Sequence, residues 1–192
     1  MNGPEPLRTV ERVLSARYGQ IPSRASVSFL GVEALEVLRF EPAPGERAYF
    51  SLGMSRRPMT AATETAVSTR GQRAELLLHI RDQTDACAEV WRALAILAAA
   101  PAVEAIVHTP GMTVDTGRPL VARSACTGGV IAESALAPIE TSAGQVAVLQ
   151  VLPATSPELA WARVHGSAAL QVRWVEHGTD LLDLGRKAVP LG

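Results

Sequence analysis

The sequence predicts an α+β fold, with a mixed, mainly antiparallel sheet and helices packed against it. Apolar runs bounded by glycine and proline indicate strands at about residues 47–53, 73–80 and 146–152. Other stretches carry apolar residues at three- and four-residue spacing, which indicates helices that are segregated from these strands. The chain has 192 residues, of which 47% are hydrophobic, so we expect one core and a single domain over residues 1–192.

The first part of the chain predicts one helix followed by two strands. The N-terminal segment 1–20 has apolar residues at helical spacing as far as Gly19: Leu7, Val10, Val13, Leu14 and Tyr18. Between residues 27 and 40, apolar and polar residues alternate only in part, so we expect two extended pieces rather than one long strand. Glu41–Glu46 contains two prolines and a glycine and predicts a turn.

Two strands are expected on either side of a polar loop. Residues 47–53 alternate in polarity, and the loop that follows, to about Gly71, is the best candidate for a mobile segment. Residues 73–80 place three apolar side chains on one face, which predicts a central strand that is buried mainly on that side.

The most regular helix is predicted after this strand. Thr84 or Asp85 can cap its start, apolar residues recur at helical spacing, and Pro101 is expected to stop it. Beyond it, turn signals at Pro110–Gly111, Thr116–Pro119 and Cys126–Val130 predict a meander of short strands.

The C-terminal part predicts a strand and two helices. The strand at 146–152 is rich in valine and leucine, and Pro153 is expected to close it. Ser156 is the predicted N-cap of a helix that Gly166 ends, and Ser167 can cap the next helix, over 168–177.

Charge and composition argue against several partners and compartments. The 18 basic and 19 acidic residues give a net charge of −1, which would not attract nucleic acid or an anionic membrane. Charged residues interrupt the N-terminus, so no secretory signal is expected, and the apolar stretch at 93–100 is too short to cross a bilayer. We therefore expect a cytoplasmic protein in which Cys87 and Cys126 are free thiols.

The strongest candidate for a catalytic group is Cys126. A thiolate nucleophile needs a nearby imidazole and a third group that positions the imidazole; His108 and Asp115 are the candidates. A cysteine-dependent hydrolase or transferase is therefore one hypothesis, and a small buried structural cysteine is the other. The sequence has no metal-ligand motif and no phosphate-binding loop, so we expect neither a metal nor a nucleotide cofactor.

Five short segments occur in an order that is typical of a known family. They are Tyr49–Ser55 (YFSLGMS), Glu75–Ile80 (ELLLHI), Val90–Leu94 (VWRAL), His108–Gly111 (HTPG) and Val146–Pro153 (VAVLQVLP). In this order and spacing the chain resembles the Suppressor of fused domain family over about residues 47–190. The resemblance implies an α+β fold and a non-enzymatic domain that binds another protein.

The resemblance also implies a narrower function. Single-domain relatives of this kind are often suggested to be immunity proteins that neutralise a toxin encoded nearby, and an adaptor or chaperone for a secreted effector is the alternative. An open sheet edge can accept an extended segment of a partner, so Tyr49, Ser51 and Gly53 are predicted to line such an edge. Met54, Arg56 and Arg57 would offer flexible and cationic contacts to an acidic partner. The same residues also fit ordinary packing and loop roles. Oligomeric state is left open.

Overall fold

The computed structural model describes residues 5–29, 32–61, 71–81 and 87–192, and it confirms the α+β fold. Its elements, in chain order, are α1 (Glu5–Tyr18), β1 (Ser23–Phe29), β2 (Val32–Phe40), β3 (Glu46–Leu52), a short 3-10 helix (Met54–Arg56), β4 (Arg73–Arg81), α2 (Cys87–Glu104), β5 (Thr113–Asp115), β6 (Cys126–Glu133), β7 (Ile139–Thr141), β8 (Gly144–Thr155), α3 (Ser156–His165) and α4 (Ser167–Glu176). Residues 62–70 of the predicted mobile loop lie outside the described residues, as do Thr84 and Asp85, the predicted caps of α2.

One mixed sheet organises the described part of the chain. Its strands follow the order β1-β2-β3-β4-β8-β6-β5, and β7 pairs with β8 beyond this path. Neighbouring strands are antiparallel except β4 and β8, which run parallel with Arg73 opposite Val146. The central position predicted for the strand at 73–80 is confirmed, because β4 is hydrogen-bonded on both sides.

The sheet is covered on both faces, which the sequence did not predict for β4. Leu76 and Leu78 belong to a core cluster with the apolar side of α2, whereas Leu77 packs in a second cluster with α1. Successive side chains of a strand point to opposite faces, so the two helices lie on opposite sides of the sheet. The expectation that this strand is buried mainly on one side is therefore wrong.

Two prolines fail to end the elements in which they lie. Helix α2 continues through Pro101 to Glu104, and β8 continues through Pro153 to Thr155. Pro101 lacks the N–H that would bond to the carbonyl of Leu97, but the buried ring of His108 donates from Nε2 to that oxygen at 2.9 Å. Strand β4 pairs only with residues 146–150 of β8, so at Pro153 no strand among the described residues needs an N–H donor on that side of β8.

The Cys126–Val130 segment is a strand rather than the predicted turn. Gly128 and Gly129 lie where neighbouring strands come unusually close. A Cβ on Gly128 would lie 2.0 Å from the carbonyl oxygen of Val114, and one on Gly129 would lie 2.5 Å from that of Leu152. The two glycines therefore allow β5, β6 and β8 to pack together, and they do not reverse the chain.

The start of α3 lies one residue before the prediction. Thr155, not Ser156, is the N-cap: its Oγ1 accepts from the N–H of Glu158 at 3.4 Å, and Glu158 Oε2 accepts from the N–H of Thr155 at 2.8 Å. This reciprocal pair is a capping box, which needs the acidic residue three positions after the cap. Because Glu158 meets that requirement only for Thr155, it decides where the helix begins.

Candidate functional site

A buried carboxylate lies at the centre of the Tyr49–Ser55 segment. Glu75, which is fully buried on β4, accepts hydrogen bonds from the hydroxyl of Ser51 at 2.5 Å, the N–H of Gly53 at 2.8 Å, and the N–H and hydroxyl of Ser55 at 3.1 and 2.6 Å. Ser51 Oγ in turn accepts from the N–H of Leu76 at 2.8 Å. We call Ser51, Gly53, Ser55, Glu75 and these bonds the Glu75 network. Its donors compensate the loss of hydration of the buried charge.

The Glu75 network explains why this segment of the chain contains two serines and a glycine. Ser51 lies one residue before the end of β3, beside β4, and Gly53 adopts a φ of 132°, a left-handed conformation that glycine accepts readily. This φ lets the chain turn into the 3-10 helix at Met54–Arg56 and directs two N–H groups at the carboxylate. The serines and the glycine are therefore the donors and the turn that a buried Glu75 requires.

The expected sheet edge at Tyr49, Ser51 and Gly53 is not what the structure contains. Strand β3 is hydrogen-bonded to β2 on one side and to β4 on the other. Tyr49 and Ser51 are both 0% exposed, and the ring of Tyr49 meets that of Trp91 edge-on, with centroids 6.4 Å apart. These two side chains support the site from the interior and do not line a surface edge.

The turn after β3 presents arginines, but its methionines face inward. Met54 is buried with Met59 in the core cluster under α2, so Met54 is not the flexible surface contact that the sequence suggested. Arg56 Nη1 donates to the carbonyl of Ala34 at 2.6 Å, and Arg57 lies 3.3 Å from Glu33 with 78% of its side chain exposed. Of the predicted contact residues, Arg57 is the one that solvent reaches freely.

A small cavity of about 190 Å³ lies beside this turn. Gly53, Met54, Arg56 and Arg57 line it from the turn, facing the C-terminal half of α2, with the following residues on the remaining sides: Glu33, Leu35, Ala98, Ala99 and Ala102. The structure therefore brings four of the six predicted contact residues to one concave surface, and it leaves Tyr49 and Ser51 beneath.

A second buried carboxylate ties the C-terminal tail to α3. Glu158 is fully buried, and its two oxygens accept hydrogen bonds from the two terminal nitrogens of Arg186 at 2.8 and 2.9 Å. Its Oε1 also accepts from Trp174 Nε1 at 3.1 Å and from the N–H of Val189 at 2.9 Å. Burial by itself raises the pKa of Glu158, but the bonds from Arg186 and the backbone outweigh it, so the pKa lies below its ordinary value. Sequence reasoning missed this pair, because nothing local links residues 158 and 186.

The proposed cysteine nucleophile has none of the properties that such a group needs. Cys126 is 0% exposed within the core under α2, and burial raises its pKa to about 11. Asp115 Oδ1 accepts from the N–H of Gly117 at 2.9 Å, and its Oδ2 lies 3.5 Å from Arg163. The thiol is therefore held in its protonated form, and the aspartate is engaged elsewhere. The side chain of Cys87 lies outside the described residues.

His108 has a structural role. Its Nε2 must carry the proton that binds the carbonyl of Leu97, so Nδ1 is the unprotonated nitrogen, and it is buried with no hydrogen-bond partner among the described residues. Burial lowers the pKa of His108 from its ordinary value of 6.5. The ring therefore stays neutral and completes α2 at Pro101, and neither Cys126 nor Asp115 is hydrogen-bonded to it.

Two general properties bear on the class of site. Within the described ranges, no cluster of three or more His, Cys, Asp or Glu side chains is placed to hold a metal ion. The helices that the structure describes also include none with the length and apolar character needed to cross a membrane.

The fold and the two buried carboxylate networks define an α+β domain whose characteristic polar residues hold its own structure together. Residues 31–187 match the sequence pattern of the family described as "Suppressor of fused protein (SUFU)". The chain therefore belongs to the Suppressor of fused family. No sequence among curated proteins matches it.

Solved structures share this fold at low sequence identity. The putative SUFU homolog from Neisseria gonorrhoeae FA 1090 has a TM-score of 0.68 and 20% identity, and the match covers 97% of each chain. The protein in the Sufu-Fu complex structure has a TM-score of 0.65 and 16% identity, covering 94% of this chain and 86% of that one. Drosophila Suppressor of Fused has a TM-score of 0.68 and 17% identity; this chain is covered over 97% and spans 51% of the Drosophila chain.

Proposed function

We propose that this chain is a non-enzymatic domain that binds another protein, and that it acts as an immunity protein that neutralises a toxin encoded nearby. The Glu75 network is the observation that supports a non-enzymatic domain that binds another protein. Ser51, Gly53 and Ser55, which carry part of the resemblance to the family, donate hydrogen bonds to Glu75 and so hold a turn and two strands together. Because these polar groups are used inside the fold, recognition of a partner falls to the surface around them.

The state of the candidate nucleophile supports the same conclusion. A thiol that is fully buried, with a pKa raised to about 11, is neither accessible nor ionised at neutral pH. His108, the candidate base, donates a hydrogen bond from Nε2 to the helix carbonyl of Leu97. Binding therefore accounts for the arrangement of these groups better than covalent catalysis does.

The surface around the 3-10 helix is the proposed contact region for the partner. Arg56 and Arg57 border its cavity, Gly53 and Met54 form its wall, and Tyr49 and Ser51 fix its shape from the interior. Arg73 steadies the turn, because its Nη1 donates to the carbonyls of Ser55 and Arg56 at 2.8 and 2.7 Å. A rigid turn that presents guanidinium groups suits an acidic patch on a partner.

Family membership supports a protein partner, since the relative in the Sufu-Fu structure was solved as a complex. The narrower assignment as an immunity protein rests on the resemblance to single-domain relatives. We place the proposed immunity protein in the cytoplasm, where a toxin made in the same cell would be met.

The test is capture of the partner from the native host. The tagged protein is purified, co-eluting proteins are identified by mass spectrometry, and the partner is assayed with and without added protein. We expect one partner near one-to-one whose toxic activity is inhibited. A partner that is bound but not inhibited, and that is exported, would contradict immunity and support the adaptor role. Absence of any partner, together with Cys126-dependent turnover of a thiol-reactive ester, would overturn the binding function itself.

A further inference from the structure

Strand β1 forms one edge of the sheet. Within the part of the chain that the structure describes, it pairs only with β2, from Ser23 opposite Arg39 to Phe29 opposite Val32. Exposure alternates along it, and the half-buried side chains Ala25, Val27 and Phe29 face the same layer as α2. An edge of this kind offers both backbone hydrogen-bonding groups and a row of apolar side chains to an added strand.

A groove of about 760 Å³ runs between this edge and α2. Residues 25–29 form one wall, and α2 forms the other with the following side chains: Ala88, Trp91, Arg92 and Ile96. Trp91 and Phe29 are only partly buried, so they leave apolar surface at the groove. The helix packs mainly over β2 and β3 and reaches β1 less closely, which is why the space remains open.

A second cleft, of about 310 Å³, lies on the other side of the same face of α2. Ala88, Arg92 and Ile96, which are spaced four residues apart and so share one helix face, line both spaces. The far wall of the second cleft is the segment from Thr116 to Leu120. Together the two spaces form a continuous surface along α2, which we call the α2 groove.

The described ionisable side chains that line the α2 groove carry a net positive charge. Arg92 and Arg118 are both exposed, and among the described residues neither makes an ion pair or a side-chain hydrogen bond. Glu89 also lines the second cleft and keeps its negative charge, while its carboxylate is held by a bond from the N–H of Ala122. Two guanidinium ions and one carboxylate therefore leave the groove with a net positive charge beside an apolar floor.

We propose that the α2 groove binds an extended, acidic segment of the protein partner, which pairs with the edge of β1 as an added strand. This inference rests on the proposed function. It adds a second contact surface and the chemistry of the segment that the surface binds. Alternate side chains of the segment would be apolar and lie on Val27, Phe29 and Ile96, while a carboxylate would pair with Arg92. A second copy of this chain would bring like charges together at Arg92, so charge favours a different, acidic partner.

The test uses a displayed library of random twelve-residue peptides selected on the intact protein. We expect enriched peptides that combine alternating apolar residues with aspartate or glutamate. Arg92→Glu is expected to weaken binding of the synthesised peptide by about tenfold or more, and Arg118→Glu to weaken it as well. Arg12→Glu is the matched control: it makes the same charge change on an exposed position of α1, across the sheet, and should leave the affinity unchanged.

Hydrogen exchange supplies a readout specific to strand addition. The amides of Ser23–Phe29 should exchange more slowly when the peptide is bound, because a paired edge is protected. The proposal is overturned if no peptide is enriched, if the selected peptides are indifferent to Arg92→Glu, or if protection appears elsewhere. A partner captured from the host whose affinity does not depend on Arg92 would likewise overturn this site while leaving the proposed function intact.

Discussion

Replacing Glu75 with glutamine tests whether the Tyr49–Ser55 segment serves the fold. The substitution keeps the shape of the side chain but removes its charge and replaces one acceptor oxygen with an NH₂ donor. In the structure, Oε1 accepts three hydrogen bonds and Oε2 accepts one from Ser51. The Ser51 hydroxyl accepts a hydrogen bond from the N–H of Leu76 and donates its only proton to Glu75 Oε2. An amide nitrogen at that position leaves the proton without an acceptor.

The expected loss follows from these four bonds. Hydrogen bonds to a charged group contribute about 1.5–3 kcal/mol each and neutral ones about 0.5–1.5 kcal/mol, so three Oε1 bonds weaken by about 1 kcal/mol each. Loss of the fourth bond adds to this, and relief from burying a charge offsets part of the sum. We expect Glu75→Gln to lower the free energy of unfolding by about 2–4 kcal/mol, against a total of about 5–15 kcal/mol for a typical domain.

Urea unfolding followed by tryptophan fluorescence measures this change, with the dependence on urea concentration fitted jointly for all variants. Glu176→Gln is the matched control, because Glu176 is exposed near the end of α4 and should shift the unfolding free energy by less than about 0.5 kcal/mol. A Glu75→Gln protein as stable as this control would refute the structural role of the network.

Four further predictions follow from the buried groups. His108→Ala should destabilise the fold by about 2–4 kcal/mol, because it leaves a cavity and an unpaired carbonyl. Adding Pro101→Ala should recover part of that loss, because it restores an N–H donor for the carbonyl. A double-mutant cycle measured by urea unfolding gives the coupling between the two positions. Burial lowers the pKa of His108 in the folded state, so the neutral ring contributes its full stabilisation above pH 6.5, and this contribution declines as the pH falls through the folded pKa. Unfolding measured at a series of pH values should show this decline in the wild type and not in His108→Ala. Arg186→Met should cost about 3–5 kcal/mol by leaving the carboxylate of Glu158 buried without its partner, measured by thermal and urea unfolding. The thiol of Cys126, studied in a protein with the other cysteine replaced by alanine, should react with a disulfide reagent only after unfolding.

Each of these has an outcome that would count against it. Additive effects of the His108 and Pro101 substitutions would deny that one compensates for the other. An Arg186→Met protein of unchanged stability would mean that the pair is not needed to keep the charge buried. Rapid labelling of native Cys126 would show that the thiol is accessible, and it would restore the cysteine-dependent enzyme as a serious alternative.

Most of the secondary structure could be predicted because its signals are local. The apolar spacing that identified α1 and α2 and the alternation that identified β3 and β4 depend only on neighbouring residues. The errors at Pro101 and Pro153 have a different origin. Each proline is accommodated by the surroundings of the folded chain: a histidine donor seven residues beyond Pro101, and the early end of the β4 ladder opposite Pro153.

The candidate site was predictable in composition but not in role. The order of Tyr49, Ser51, Gly53 and Glu75 identified the family, yet a strand pattern cannot say whether that strand is at an edge or in the middle of a sheet. Pairing of β3 on both sides is a long-range property, and it turns a predicted contact surface into a buried network. The α2 groove was invisible for the same reason, because β1 and the segment around Arg118 are far apart in sequence.

The most direct test of the central claim is a titration of the partner's activity with this protein. A fixed amount of the captured partner is assayed against increasing amounts of wild-type protein and of the Cys126→Ala variant. We expect activity to fall linearly and to end sharply at one-to-one for both proteins, because binding consumes one copy for each partner molecule. Complete inactivation by a small fraction of an equivalent, lost in the folded Cys126→Ala variant, would contradict this account and show that the chain is an enzyme.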